Sequence, residues 1–269
     1  MTHNTSPSGL LSQPDRPFSL RTIRPTGRLA RFIDYFWIVQ WQLPDGESFV
    51  SENLPHPCVH LVYEPGHSAL FGPIRGHFKK QLTGHSRAIG CRFKPGLFYA
   101  WLKRPLAEIT DKELDTDTVL QVSNNLFEAE LNTLDTAEQC IEAFTTWLEQ
   151  AMTGIKDPSA SAFFAHEIVL AMETNHDWLR VEQVCEQFEL SNRQLERLFR
   201  QHVGLTPKWV LRMYRLQQIA NEIVSDQPIQ WADLACRLGY FDQAHCIRDF
   251  KKMTGKTPAS YRASSSDGR

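Results

Sequence analysis

SNRQLERLFRQHVGLTPKWV, residues 191–210, is echoed by DQAHCIRDFKKMTGKTPASY at residues 242–261. An offset of 51 residues lays Arg197 on Arg248, Phe199 on Phe250, Gly204 on Gly255 and Thr206-Pro207 on Thr257-Pro258. The shared spelling R-x-F-x4-G-x-T-P has a mechanical reading. A helix runs through Arg and Phe and stops at Gly, which adopts the left-handed C′ conformation without a Cβ penalty. Thr then caps a following helix, and Pro opens it at the one position where a missing N–H removes no bond. Ser191 and Asp242 stand where each copy needs its own N-cap.

A short apolar-periodic segment precedes each copy, VEQVCEQFE at 181–189 and WADLACRLG at 231–239. Helix, turn and second helix therefore occur twice, as two helix-turn-helix units. In the first, Leu195, Leu198, Phe199 and His202 share an inward face, while Arg193, Glu196, Arg197 and Arg200 share the outward one. In the second, Cys246, Phe250 and Met253 face in, and Ala244, Ile247, Arg248 and Lys251 face out. Cys246 then reads as a small core residue with His245 beside the outward face, so this adjacent His-Cys pair implies no metal site. Arg197 and Arg248 occupy equivalent places from which each can grip a guanine edge with two hydrogen bonds.

Between the copies, residues 207 to about 225 read as one helix with Val210, Met213, Leu216, Ala220 and Ile223 turned toward both units. Such a helix spans roughly 27 Å at 1.5 Å per residue. It is expected to hold the recognition helices near the roughly 34–36 Å repeat of B-DNA, with Lys208, Arg212 and Arg215 beside phosphates.

These residues resemble the DNA-binding domain of the AraC/XylS transcription regulators. The resemblance covers about the last 100 residues and rests on SNRQLERLFRQHVGLTP and LGYFDQAHCIRDFKKMTGKTPASYR. It implies a seven-helix, two-unit domain with recognition helices at 191–203 and 242–253. Its base-reading positions fall on Arg193, Glu196 and Arg197, and on Gln243, Ala244, Ile247 and Arg248, with His245 alongside. Phosphate contacts are expected from Ser191, Arg200, Lys208, Arg212 and Lys251. Two departures stand out: Cys246 replaces a bulky apolar residue, and Ala244 offers no hydrogen bond, so the second unit is expected to rely more on shape and phosphate.

The whole-chain charge conceals this pattern, since 29 Lys and Arg against 31 Asp and Glu leave a net −2 over 269 residues. Locally, 191–215 carries six basic residues against Glu196, the footprint that matters for nucleic acid. Six cysteines without a C-x-x-C pair, and no secretory signal, point to free thiols and a cytoplasmic protein. No run approaches the roughly 20 apolar residues of a membrane span.

Residues 1–19 read as a flexible tail and 263–269 as another. Residues 20–155 read as a β-rich effector-binding or dimerisation domain with trailing helices, and 160–262 as the DNA-binding domain, joined through the linker GIKDPSAS at 154–161. The fold class is α+β: a small β-barrel or sandwich with helices, then an all-α half. SFVSEN, VHLVYE, ALFGPI, FKKQLTG and RAIGCRFKP are the expected strands, together with the segment from Phe36 onward, separated by Pro/Gly turns. Trp37, Trp41, Tyr63, Phe93 and Trp101 are candidates to line an apolar effector pocket.

HPCVH at 56–60 raises the alternative of a metal or thiol sensor, because His56, Cys58 and His60 alternate on one strand face, with Glu64, His67, His77 or His85 nearby. Adjacent ligands on one strand suit a tetrahedral ion poorly, and no metal or cofactor is expected. An enzymatic front half is the other alternative. Cys91 lies inside a strand pattern without a nucleophile elbow, and no cysteine quartet is present, so no enzyme is expected. The leading expectation is a transcription regulator, an activator, whose partners are double-stranded DNA and RNA polymerase, with a small-molecule effector and a second copy of the chain as further candidates.

Overall fold

The computed structural model describes residues 17–120, 124–224 and 229–266. Its N-terminal half contains the strands β1 (Phe18–Ile23), β2 (Ile33–Gln42), β3 (Ser48–Asn53), β4 (His60–Tyr63), β5 (Ala69–Phe71), β6 (Phe78–Thr83), β7 (His85–Phe93) and β8 (Glu113–Leu114). Helices α1 (Tyr99–Leu102), α2 (Thr116–Leu120), α3 (Asn124–Thr133) and α4 (Ala137–Ala151) follow or interleave with the last of these. The C-terminal half consists of α5 (Ala160–Thr174), α6 (Val181–Gln187), α7 (Asn192–His202), α8 (Pro207–Val224), α9 (Trp231–Arg237), α10 (Gln243–Thr254) and α11 (Pro258–Ser266).

Six strands form one sheet in the order β1-β2-β7-β4-β5-β8, and β3 pairs with β6 as a separate ribbon. All pairs are antiparallel. The barrel alternative is not realised, because β1 and β8 are outer strands of an open sheet and do not pair with each other. One face of the sheet is sealed by helices: Phe36, Ile38, Leu61, Tyr63, Ile89, Cys91 and Phe93 pack with Trp101, Phe127, Phe144 and Leu148. The ribbon crosses the other face, where Trp41, Ala88 and Leu82 make a smaller core.

Alternation along β2 is broken once. A register shift between Ile33 and Tyr35 puts Ile33 and Phe36 on the same buried side although they are three residues apart. That shift let the strand begin at Ile33, ahead of the expected Phe36. β1 lies outside the expected strand set altogether. It starts at Phe18, inside the stretch read as tail; residues 1–16 of that stretch lie outside the described residues. Similarly, α11 continues to Ser266, through most of the expected C-terminal tail, and 267–269 are outside the description.

The connection between the halves is not a loose tether. Ser159 caps α5 by accepting from Ala162 N, so residues 160 and 161 are already helical. Ahead of it, Arg28 donates to Met152 O and Ile155 O, and Arg31 pairs with Asp157 at 2.6 Å. Among the described residues no helix is long and apolar enough to cross a membrane.

The halves meet at the C-terminal ends of α7 and α10. After α7, the Gly204 carbonyl accepts a hydrogen bond from the buried Thr110 Oγ1 at 2.6 Å. After α10, Lys256 reaches Glu52 Oε2 at 2.7 Å, and the His77 ring lies where a Cβ on Gly255 would collide with it at 2.8 Å. Gln217 of α8 donates to Pro55 O at 2.9 Å, and Leu54 sits within the apolar core of the C-terminal half. Thr110→Val keeps the shape but leaves the Gly204 carbonyl unpaired. It is expected to lower stability by about 1–2 kcal/mol, read as a fall in Tm of a few degrees in thermal unfolding.

Candidate nucleic-acid interface

Each unit is built as its sequence dictates. Ser191 accepts from Gln194 N while Gln194 Oε1 accepts from Ser191 N at 2.8 Å, a complete capping box that fixes where α7 starts. Asp242 does the same work for α10, accepting from His245 N at 2.6 Å. At the far ends Gly204 and Gly255 have φ of 84° and 74°. Thr206 then caps α8 by accepting from Trp209 N, and Thr257 caps α11 by accepting from Ser260 N.

Inside, Leu195, Phe199 and His202 of α7 and Cys246, Phe250 and Met253 of α10 are buried in one continuous core with α5 and α8. Val210, Met213, Leu216, Ala220 and Ile223 of α8 are buried between the units. Outside, Arg193, Glu196, Arg197 and Arg200 are exposed along α7, and Gln243, Ala244, His245, Arg248 and Lys251 along α10, with Ile247 half-buried. Ser191 and Lys208 are exposed at the two ends of the first unit. The structure thus brings each set of sequence-derived candidates onto one open face of its own helix.

Arg212 has a partner that sequence reasoning missed. Its Nε and Nη2 donate to the two carboxylate oxygens of Asp249 at 2.8 and 2.6 Å, a forked bond that fastens α8 to α10. Arg215 is turned inward as well, donating to Leu238 O and lying over the Tyr240 ring. The signal was an acidic residue inside an otherwise basic run, which has to find a cation across the fold. A second missed feature is Phe241, the residue before the α10 N-cap, whose side chain is 95% exposed.

The pocket candidates separate. Trp37 and Trp41 line a cavity of about 370 Å³ between sheet and ribbon. Tyr63, Phe93 and Trp101 do not line it; they are buried in the core on the helix-covered face, and that expectation is corrected. His56, Cys58 and His60 also border the cavity, with Cys58 Sγ 3.4 Å from His60 Nε2. Among the described residues no group of three or more His, Cys, Asp or Glu is arranged to hold a metal. Burial pushes the Cys58 thiol up to about 12 and raises that of Cys91, away from the thiolate that ligation and oxidation need.

Comparison with known proteins agrees with this geometry. Residues 184–264 match a helix-turn-helix domain family, and residues 21–115 match a domain of unknown function, DUF6597. An uncharacterized HTH-type transcriptional regulator of Haemophilus influenzae is 32% identical over 97 residues, 36% of this chain and 32% of its own length. The HTH-type transcriptional activator RhaS of Escherichia coli is 32% identical over 97 residues, 35% of this chain and 34% of its own length. The chain therefore spans about a third of the length of these curated relatives. Among solved structures, ToxT from Vibrio cholerae aligns over 86% of this chain and 98% of its own, at 11% identity and a TM-score of 0.43.

Burial lowers the His202 imidazole to about 4, where its Nε2 meets Ser161 Oγ and its ring packs edge-on against Tyr99 of the N-terminal half. The folded chain therefore holds His202 neutral while the unfolded chain protonates it near 6.5. The stability this confers is complete above pH 6.5 and is lost as pH falls from there toward 4. The loss should reach about 1.4 kcal/mol at pH 5.5. Thermal unfolding between pH 7.5 and 5.5 should show a shallower decline for His202→Gln than for the parent chain. Residues 184–264 of this chain thus match a helix-turn-helix domain, joined to a sheet-rich N-terminal region that matches a domain of unknown function.

Proposed function

We propose that this protein is a sequence-specific DNA-binding transcription regulator of the AraC/XylS type. One observation carries the reading: two capped helices of equivalent construction each turn an exposed, Arg-bearing face outward while sharing α8 as a spacer. Because the faces differ in residue, one chain reads two unlike half-sites in successive major grooves.

Arg193, Glu196 and Arg197 of α7, and Gln243, Ala244, His245, Ile247 and Arg248 of α10, are the proposed base-reading set. Ser191, Arg200, Lys208 and Lys251 hold phosphates and set the register. Arg212 contributes by aiming α10 through Asp249. Phe241 joins the interface as an apolar contact at the groove edge, since a ring left in water beside a recognition helix gains from being covered.

The N-terminal half is proposed to sense a small-molecule effector in the cavity bordered by Trp37 and Trp41, and the regulator to act as an activator that engages RNA polymerase, working as a homodimer. Contact between the halves at Gly204, Gly255 and Gln217 supports coupling of the two functions. An effector acts only through unequal affinity for two arrangements of these contacts.

Selection of bound sequences from a random DNA pool tests the reading, and it should return a non-palindromic site. At that site Arg197→Ala and Arg248→Ala should each cost about 1–3 kcal/mol and relax the preference at one base pair; equal losses on every sequence would show a phosphate grip instead. Lys208→Ala should weaken all sequences alike and reduce the salt slope by about one unit.

A further inference from the structure

The ribbon β3–β6 has two working faces. Cross-strand partners Ser51 and Lys80, and Asn53 and Phe78, stand on the side that borders the cavity. Glu52 and Lys79 are also directly opposed, one residue out of phase, and there Glu52 bonds both Lys79 at 2.9 Å and Lys256 of the C-terminal half at 2.7 Å. Residues 52–55 then alternate between the two jobs. Asn53 borders the cavity; Leu54 borders it and also belongs to the core of the C-terminal half; Pro55 O accepts from Gln217.

The cavity has a consistent chemistry. Phe18, Tyr35, Trp37, Trp41, Phe71 and Phe78 give it an aromatic wall. The Trp37 indole packs against β7, so close to Gly90 that a Cβ there would stand 2.5 Å from the ring. Its ring, as part of the cavity lining, is suited to stacking. The bordering ammonium groups are already engaged by carboxylates: Lys80 bonds Glu64 at 2.9 Å and Lys79 bonds Glu52 at 2.9 Å, while His67 Nε2 lies 2.9 Å from Glu113. Burial lowers His60 to about 3, so that imidazole is neutral too. A ligand with a net charge would have to break one of these pairs or remain uncompensated in an apolar space, which costs more than the contact returns. Among the lining groups, Asn53 Oδ1 is buried and accepts no hydrogen bond within the described residues.

We propose that the cavity between ribbon and sheet is the binding site of an uncharged, flat aromatic molecule carrying one N–H or O–H donor, which stacks on Trp37 and donates to Asn53, and that its occupancy is passed through residues 52–55 to the second helix-turn-helix unit. This deepens the effector reading above and rests on it for its regulatory meaning, but not for the binding itself. A volume of about 370 Å³ admits a bicyclic ring system. Filling it presses on the same short segment whose other side holds Lys256, Leu54's pocket and Gln217, so the ligand and the position of α10 share one mechanical element.

Titration calorimetry of the full chain without DNA tests the binding. The probes are indole and 2-naphthol, each with a donor; benzofuran, which keeps the bicyclic shape without one; and indole-3-acetate and tryptamine, which add a negative or positive charge. Indole and 2-naphthol should bind with one-to-one stoichiometry, benzofuran about fivefold more weakly than indole, and the charged derivatives at least about tenfold more weakly. Asn53→Ala should erase the difference between indole and benzofuran, and Trp37→Leu should weaken every ring. Failure of both neutral donors to bind, equal or tighter binding of a charged derivative, or an unchanged donor preference in Asn53→Ala overturns the assignment. Hydrogen exchange on the same samples reads the transmission. Saturating indole should alter protection at 250–258, and binding without any change there overturns the coupling. Neither measurement contains DNA, so both stand or fall separately from operator recognition.

Discussion

A recognition helix is useful only if both of its ends are fixed, because a shift of one residue rotates every outward side chain by about 100°. Here the starts are fixed by side-chain caps, Ser191 with Gln194 and Asp242 alone, and the stops by Gly204 and Gly255 in the left-handed conformation. Everything else is arranged around these four points. α8 begins immediately beyond the first stop, the N-terminal half rests against both stops, and the core residues Leu195, Phe199, Cys246 and Phe250 keep the helices from turning about their own axes.

The same logic accounts for what could be read in advance. Helix ends are local events, written within five or six residues, so the repeated unit, the bounds of α7 and α10, and the buried and exposed faces of both were legible from letters alone. The long helix between them was legible for the same reason. The N-terminal half resisted because its decisive facts are not local. Alternation indicates that Tyr63 and Phe93 share a side with their neighbours two residues away, but not which side the helices α3 and α4 will cover. Pairing of Ser48 with Thr83 bridges two intervening strands and leaves no trace in either partner. A single register shift near Ile33 inverts the parity of β2, and the first two residues of β1 pass for tail because a proline-punctuated stretch precedes them.

Charge was legible only in part. A net of −2 would discourage any thought of nucleic acid, yet Arg193, Arg197, Arg200, Arg248 and Lys251 are exposed on α7 and α10. Sequence cannot distinguish an arginine offered to solvent from one consumed internally. Arg197 and Arg248 are of the first kind; Arg212, spaced on its helix as a phosphate ligand would be, is of the second, because Asp249 arrives opposite it from a helix 37 residues away.

Leu54 has a consequence for how such chains evolve. It is contributed by the front half yet counted among the side chains that fill the rear one. Two modules that share a core residue are not freely interchangeable. A recombination event that supplied a different front half would leave a vacancy under α8 unless the newcomer also presented an apolar side chain at that point. The match of shape at this contact restricts which front halves can be grafted onto this helical half, and it ties the histories of the two more tightly than a connecting peptide would.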